Sequence, residues 1–288
     1  MRFGVVYGNI LGFTSPDGAA AIGQAAESSG FDSLWTVEHV LVPAGYESTY
    51  PYSPDGKMQG GSDFDIPDPL VWLAYVAAHT TTLKLATGIL ILPERNPAIT
   101  AKEVATLDVL SRGRVVLGVG AGWLAEEFKA LGVPFERRGE RLDSYIGALR
   151  ALWSGEETTL HDDFVDFERA VSRPRPVQQP VPIVIGGHTE IAARRAGRLG
   201  DGFFPAKGDL PHLISVMRKA AEEAGRDPDA IEVTAGGEGC VGPGALDAIK
   251  ALEDQGVDRI VIPPLAFDAT SIGDALTAYG DDVISRTT

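Results

Sequence analysis

The chain has a single cysteine, Cys240, in 288 residues. That excludes an internal disulfide and every CxxC-type metal or redox motif. Positive charge is also scarce: 25 Lys and Arg stand against 40 Asp and Glu, a formal net charge of −15. Nucleic acids and anionic membranes are bound through a basic footprint. Neither is expected as a partner, and the acidity serves solubility. No apolar run approaches the ~20 residues of a membrane span. Met1-Arg2-Phe3-Gly4-Val5-Val6-Tyr7 has the pattern of a strand and not of a secretion signal, so a reducing cytoplasm is the expected location. His79, His161, His188 and His212 are scattered without metal-ligand spacing, and no metal site is expected. No GxSxG nucleophile elbow occurs either.

What the chain does have is alternation. Strands are expected at 3–7, 33–37, 84–92, 114–119, 183–185, 202–206, 231–235 and 259–262. Helices are expected between them, at 17–29, 70–79, 98–110, 141–153, 189–199, 210–224, 245–255 and 271–278. Gly30 supplies a stop for the first helix, and Asp68-Pro69 an N-cap and first-turn proline for the second. Strands that are apolar throughout are buried on both faces, which means parallel strands covered by helices. Eight such units in strict alternation, in a chain somewhat longer than the roughly 250 residues typical of the fold, predict an α/β (β/α)8 barrel. An open, doubly wound sheet is the alternative. One domain over 1–288 is expected, with an insertion after strand 2 at about 40–66. That stretch is rich in Gly, Pro, Ser, Tyr and Asp and has no period, and long patternless loops in compact domains are usually functional. Weak alternation over 158–167 suggests a small hairpin.

The chemistry is expected at the C-terminal ends of the strands. Leu85-Ala-Thr-Gly-Ile-Leu-Ile-Leu-Pro93 and Arg114-Val-Val-Leu-Gly-Val-Gly-Ala-Gly-Trp123 are apolar runs that stop in glycine or proline. Glycines just past a strand let backbone approach a ligand closely, so Gly120, Ala121 and Gly122 are expected to form a floor under a planar ring. Gly118-Val-Gly-Ala-Gly122 is not a dinucleotide fingerprint, because the last glycine of that motif would fall on Trp123. Gly186-Gly187-His188-Thr189 joins a strand to a helix. Amides at a helix N-terminus, backed by the helix dipole, make an anion site; the plain alternative is a βα turn capped by Thr189. His39 stands at the end of strand 2, before the long loop, with a near-neutral ring suited to proton exchange. Glu38 beside it is expected to point the other way.

These segments together resemble the bacterial luciferase-like superfamily, and within it the actinobacterial branch of deazaflavin oxidoreductases. The likeness is carried by Gly30-Phe-Asp-Ser-Leu-Trp-Thr-Val-Glu-His39, Thr87-Gly-Ile-Leu-Ile-Leu-Pro93, Asn96-Pro97 with Lys102-Glu103, Gly113 to Trp123, and Ile185-Gly-Gly-His188 with Gly200-Asp-Gly202. The resemblance implies a barrel with an insertion, commonly a homodimer, acting on a small-molecule substrate with non-covalently bound coenzyme F420. It implies a non-proline cis peptide at Gly88–Ile89 behind the ring, His39 near the reactive face, and Gly186, Gly187 and His188 at the cofactor phosphate. Sugar-phosphate dehydrogenases of this branch carry a carboxylate where this chain has Trp123, which argues against that substrate. The alternatives are an FMN-dependent monooxygenase of the same fold and a non-catalytic carrier of the cofactor.

Overall fold

Ten strands occur among residues 1–287, which the computed structural model describes: β1 (Arg2–Val5), β2 (Ser33–Thr36), β3 (Lys84–Thr87), β4 (Val115–Val119), β5 (Thr158–His161), β6 (Asp166–Ala170), β7 (Ile183–Gly186), β8 (Gly202–Phe204), β9 (Glu232–Gly236) and β10 (Arg259–Ile262). Eight of them pair in parallel and close in the order β1-β10-β9-β8-β7-β4-β3-β2, the (β/α)8 barrel expected. The other two, β5 and β6, form an antiparallel pair, so the hairpin exists and runs to Ala170. Helices α1 (Pro16–Ser28), α2 (Pro69–His79), α3 (Pro97–Leu110), α4 (Ala125–Ala130), α5 (Arg138–Trp153), α6 (Glu190–Leu199), α7 (Leu210–Glu223), α8 (Ala245–Asp254) and α9 (Ile272–Asp282) follow their strands. Among the described residues, no helix is long and apolar enough to cross a membrane.

Local chemistry sets the boundaries. Asp68 accepts from the amides of Leu70 and Val71, with Pro69 in the first turn, so α2 starts where side chain and proline both require it. Gly30 lies at φ +85°, past the end of α1. Strand β3 is shorter than expected. After the break at Gly88 and Ile89, Leu90 pairs once more with Val119 of β4 in a single parallel bridge, while the buried Ile91 and Leu92 turn away, the Leu92 amide donating to Leu90. Their apolarity reports burial, not strand. Helix α4, between β4 and α5, was not expected from the sequence.

The barrel interior is a plug. Val6, Trp35, Ala86, Val116, Val184 and Val261 pack together inside it, with Phe204 against them. The Trp35 indole is fully buried and meets the Phe204 ring edge-on at 5.5 Å. Glycines make room for it: a Cβ at Gly4 would lie 2.9 Å from its Nε1, and one at Gly88 3.1 Å from its Cε3. With the interior filled to that level, a ligand has space only at the rim above Trp35.

The opposite end is closed by charge. Arg259, 1% exposed, donates to both oxygens of Asp32, at 3.0 and 2.8 Å, and to Glu232, and its guanidinium lies 5.7 Å from the Trp35 ring. Burial opposes ionisation of Asp32, but the hydrogen bonds and charge of Arg259 outweigh it and hold the carboxyl below its ordinary range. Replacing Arg259 takes the main counter-charge from Asp32 and Glu232, which keep only Ser33 and Arg2 respectively. Arg259→Met is expected to lower unfolding free energy by about 3 kcal/mol, read by denaturant titration. Because the Asp32 carboxyl is held down in the folded state, its contribution is present above the ordinary carboxylate range and lost as pH falls through the depressed value. The difference between parent and variant should therefore shrink in acid.

Candidate functional site

Strand β2 runs out at Thr36, and the next residues turn at the rim. Asn9, fully buried, pins this turn: its Oδ1 accepts from the Val37 amide at 2.8 Å and its Nδ2 donates to the carbonyls of Val37 and Pro67. Glu38 and His39 then diverge as expected. Glu38 faces away, accepting from the Ile91 amide and from Arg95, whose Nε lies 2.8 Å from Oε1. Burial pushes the Glu38 carboxyl up, and Arg95 pulls against it. Arg95 goes on to Asp68 at 2.6 Å, which joins the ends of β2 and β3 to the start of α2.

His39 packs toward α4. Its Nδ1 lies 2.7 Å from Oε2 of Glu127, and its side chain is 9% exposed against 0% for Glu127. A carboxylate only accepts, so Nδ1 carries the hydrogen and Nε2 is the ring atom left for other partners, an assignment made from the network. The other oxygen of Glu127 accepts from the amides of Val40, at 2.6 Å, and Leu41, at 3.2 Å. One buried carboxylate thus orients the histidine and anchors the start of the insertion. Glu126 takes the next stretch, accepting from the amides of Glu47 and Ser48 at 2.7 and 3.0 Å and from the Ser48 hydroxyl at 2.6 Å. The Ser48 hydroxyl is the leading cause that brings the Glu126 carboxyl down to about 2.

The insertion lays aromatic rings across the rim. Trp123 is met edge-on by His39 at 5.6 Å, Tyr46 at 5.4 Å and Tyr50 at 5.1 Å. Tyr50 meets Tyr52 at 5.3 Å, and Tyr52 meets His188 at 5.3 Å. The chain of rings therefore links His39 to His188. Burial, then the neighbouring Tyr7, Tyr52 and Tyr46, push the Tyr50 phenol up to about 12. The tyrosines present apolar ring faces with hydroxyl tips along this side of the rim.

The glycines serve a more specific purpose than a floor. The Gly88–Ile89 peptide is cis, and the Ile89 side chain projects into the hollow they leave. A Cβ at Gly120 would lie 2.7 Å from Ile89 Cδ1, and one at Gly186 2.5 Å from Ile89 Cγ2. Gly120 and Gly186 are glycine because Ile89 occupies their side-chain space, so Ile89 presents the surface at the rim. Gly122, at φ +79°, turns the chain past Ala121, and its carbonyl accepts from Arg138 at 3.1 Å. The Gly120 amide is spent on Leu90.

The corner after β7 differs in detail from the expectation. The Gly187 amide already donates to Phe204 at 3.2 Å, and the Thr189 hydroxyl caps Ala192 at 3.2 Å. Donors for an anion here are the first amides of α6 and the Lys207 ammonium, which reaches the Pro51 carbonyl and lies 5.7 Å from the Tyr52 ring. His188 Nδ1 is buried with no hydrogen-bond partner, and burial followed by the charge of Lys207 pushes its ring pKa down. A buried polar atom without a partner fits a ligand that supplies one. Gly187 sits at φ +134°, where any side chain is strained, and Gly186 is blocked by Ile89, so side chains and not these glycines are the clean probes of the corner.

His39 lies at the rim as its position after β2 predicts, whereas no sequence signal pointed to Glu127, Glu126, Lys207 or the tyrosines around it. Glu126 and Glu127 stand in a short helix whose partners are some 80 residues away, and only spatial contact reveals the pairing.

His39, the row of aromatic rings and the His188–Lys207 corner thus lie together at the C-terminal ends of the parallel strands, the face at which barrel enzymes carry their sites. The chain belongs to the luciferase-like monooxygenase family, whose profile matches residues 1–269. It is 35% identical over 245 residues to an uncharacterized protein of Mycobacterium tuberculosis, covering 84% of this chain and 83% of that one. It is 33% identical over 229 residues to the F420-dependent glucose-6-phosphate dehydrogenase of Kineococcus radiotolerans, covering 76% and 63% respectively. A monooxygenase from Streptomyces bottropensis shares the fold over the full length of both chains, with TM-score 0.79 at 22% identity.

Removing both carboxylates that hold the insertion should free it. Glu126→Gln with Glu127→Gln is expected to make the 40–66 segment at least several-fold more sensitive to limited proteolysis while the barrel stays folded by circular dichroism. In the parent, the anchor made by Glu126 is present above its ordinary pKa of 4.5 and is lost as pH falls toward about 2. Sensitivity should rise across that window.

Proposed function

We propose that this chain is a coenzyme F420-dependent oxidoreductase that moves a hydride between the deazaflavin and a small organic substrate. The observation that carries the reading is the rim itself. Ile89 stands at the rim over Gly120 and Gly186, and one row of aromatic rings joins His39, fixed by Glu127, to the unpartnered Nδ1 of His188 beside Lys207. The dehydrogenase of K. radiotolerans, F420-dependent by name, supports the cofactor assignment.

The bound deazaflavin supplies the hydride acceptor or donor. Ile89 backs its ring, with Gly120, Ala121 and Gly122 behind it and Gly88 set against Trp35. The His188 ring, the α6 N-terminus beyond Gly186 and Gly187, and Lys207 hold its phosphate. His39, with Nδ1 committed to Glu127, holds or delivers at Nε2 the proton that accompanies the hydride. Trp123, Tyr46 and Tyr50 exclude water and wall the substrate space. Trp123 offers no acidic group where the sugar-phosphate enzymes are expected to have one, which argues against a sugar phosphate and leaves the substrate open. The whole chain acts as one domain, with 40–66 as its lid, in a reducing cytoplasm. Val71 and Tyr75 on α2 and Ile99 on α3 are exposed apolar side chains that suit a homodimer contact.

Anaerobic turnover with coenzyme F420 tests the reading. Oxygen-dependent turnover with FMN alone would assign the chain to the monooxygenases instead. His39→Ala is expected to lower turnover roughly 10²–10⁴-fold with little change in cofactor affinity. If His39 transfers the proton, His39→Asn stays as slow as Ala; recovery of the rate in Asn would make it an orienting group only. Lys207→Gln removes a charged donor and is expected to weaken cofactor binding about 10-fold or more, read by calorimetry. Parental affinity in that variant would place the phosphate elsewhere.

A further inference from the structure

Glu94 ends the turn that follows β3, in the segment Leu92–Glu94. It is 9% exposed, and both of its carboxylate oxygens are buried without a hydrogen-bond partner. Two more carboxylates act on it, those of Glu38 and Glu127. The supply of donors is uneven among the three. Glu38 has the Ile91 amide and Arg95; Glu127 has the amides of Val40 and Leu41 and the ring of His39. Glu94 has none.

Arg95 is taken by Glu38 and Asp68 and the His39 ring by Glu127, so a charge on Glu94 would stand without a partner, and an unpaired buried charge costs several kcal/mol. The group must keep a proton, and it rests where no donor competes for the oxygens. We propose that Glu94 holds this proton as a neutral carboxylic acid and is thereby a positioning residue for His39. By taking the proton, it leaves Glu127 charged to grip the His39 ring and the first residues of the lid.

The surroundings agree. Burial, then the charges of Glu127 and Glu38, push the Glu94 carboxyl up to about 9. Arg95 acts in the opposite sense but is spent on Glu38 and Asp68, with Glu103 at 3.9 Å beyond. Helix α5 also packs on this turn, and its buried Arg141 donates to the carbonyls of Pro134 and Glu136. The role assigned to Glu94 rests on His39 as the proton-handling residue; the proton on Glu94 does not.

The sign follows. Glu94 is neutral through physiological pH and ionises as pH rises through about 9. A second charge then faces Glu127, and the grip on His39 and the lid weakens. Glu94→Gln is a permanent copy of the neutral form. Infrared spectra of the whole protein should show the carbonyl band of a buried, protonated carboxyl near pH 7, absent in Glu94→Gln and fading in the parent around pH 9. Limited proteolysis of the lid should rise in the parent over the same range and stay flat in the variant. Parental turnover should fall about fivefold between pH 9 and 10, as for one ionisation centred near 9, and the variant should lack this fall. A parent without the band at pH 7, or a variant with the same alkaline rise in proteolysis, overturns the proposal. Absence of turnover with coenzyme F420 at every pH would count against the cofactor reading, and the infrared and proteolysis results would still decide the state of Glu94.

Discussion

Glu127 is the point at which fold and site become one structure. Its carboxylate is fully buried on a six-residue helix, and each oxygen is engaged: one by the His39 ring, the other by the backbone of Val40 and Leu41. A buried carboxylate is tolerable only when its acceptor sites are filled. The need for satisfaction therefore fixes the histidine tautomer and the lid anchor together. Disturbing either leaves the same charge short of a partner. This couples the anchor of the insertion to the orientation of the His39 ring through direct contacts.

The rest of the rim is a matter of space. Trp35 fills the barrel below, so Gly4 and Gly88 cannot carry a side chain without displacing it. One level higher Ile89 does the same to Gly120 and Gly186. These four glycines mark where two large side chains come close to backbone. The rim carries Ile89 at its centre, aromatic rings along the insertion side, and the Lys207 ammonium beside the His188 ring.

The alternation of apolar runs and helix caps made the barrel legible, because β/α units are written in local periodicity and in residues such as Asp68 and Gly30. His39 was legible by position, at the end of a buried strand before a patternless loop. The resemblance named the Gly88–Ile89 cis peptide, which composition alone does not reveal. Apolarity misplaced the end of β3, since Ile91 and Leu92 are buried in a turn. The partner of His39 was hidden for a different reason. Glu127 is one of forty acidic residues, and nothing in its own neighbourhood separates it from the solvated ones. Glu94 is hidden in the same way, because what distinguishes it is a lack of donors, which only the packed structure defines.

The central claim is that this rim accepts a deazaflavin in preference to a flavin. Isothermal titration of the purified chain with coenzyme F420 and, separately, with FMN tests it most directly. Micromolar or tighter binding of coenzyme F420, with FMN much weaker, is the expected result. Tighter binding of FMN, or no binding of either, would contradict it.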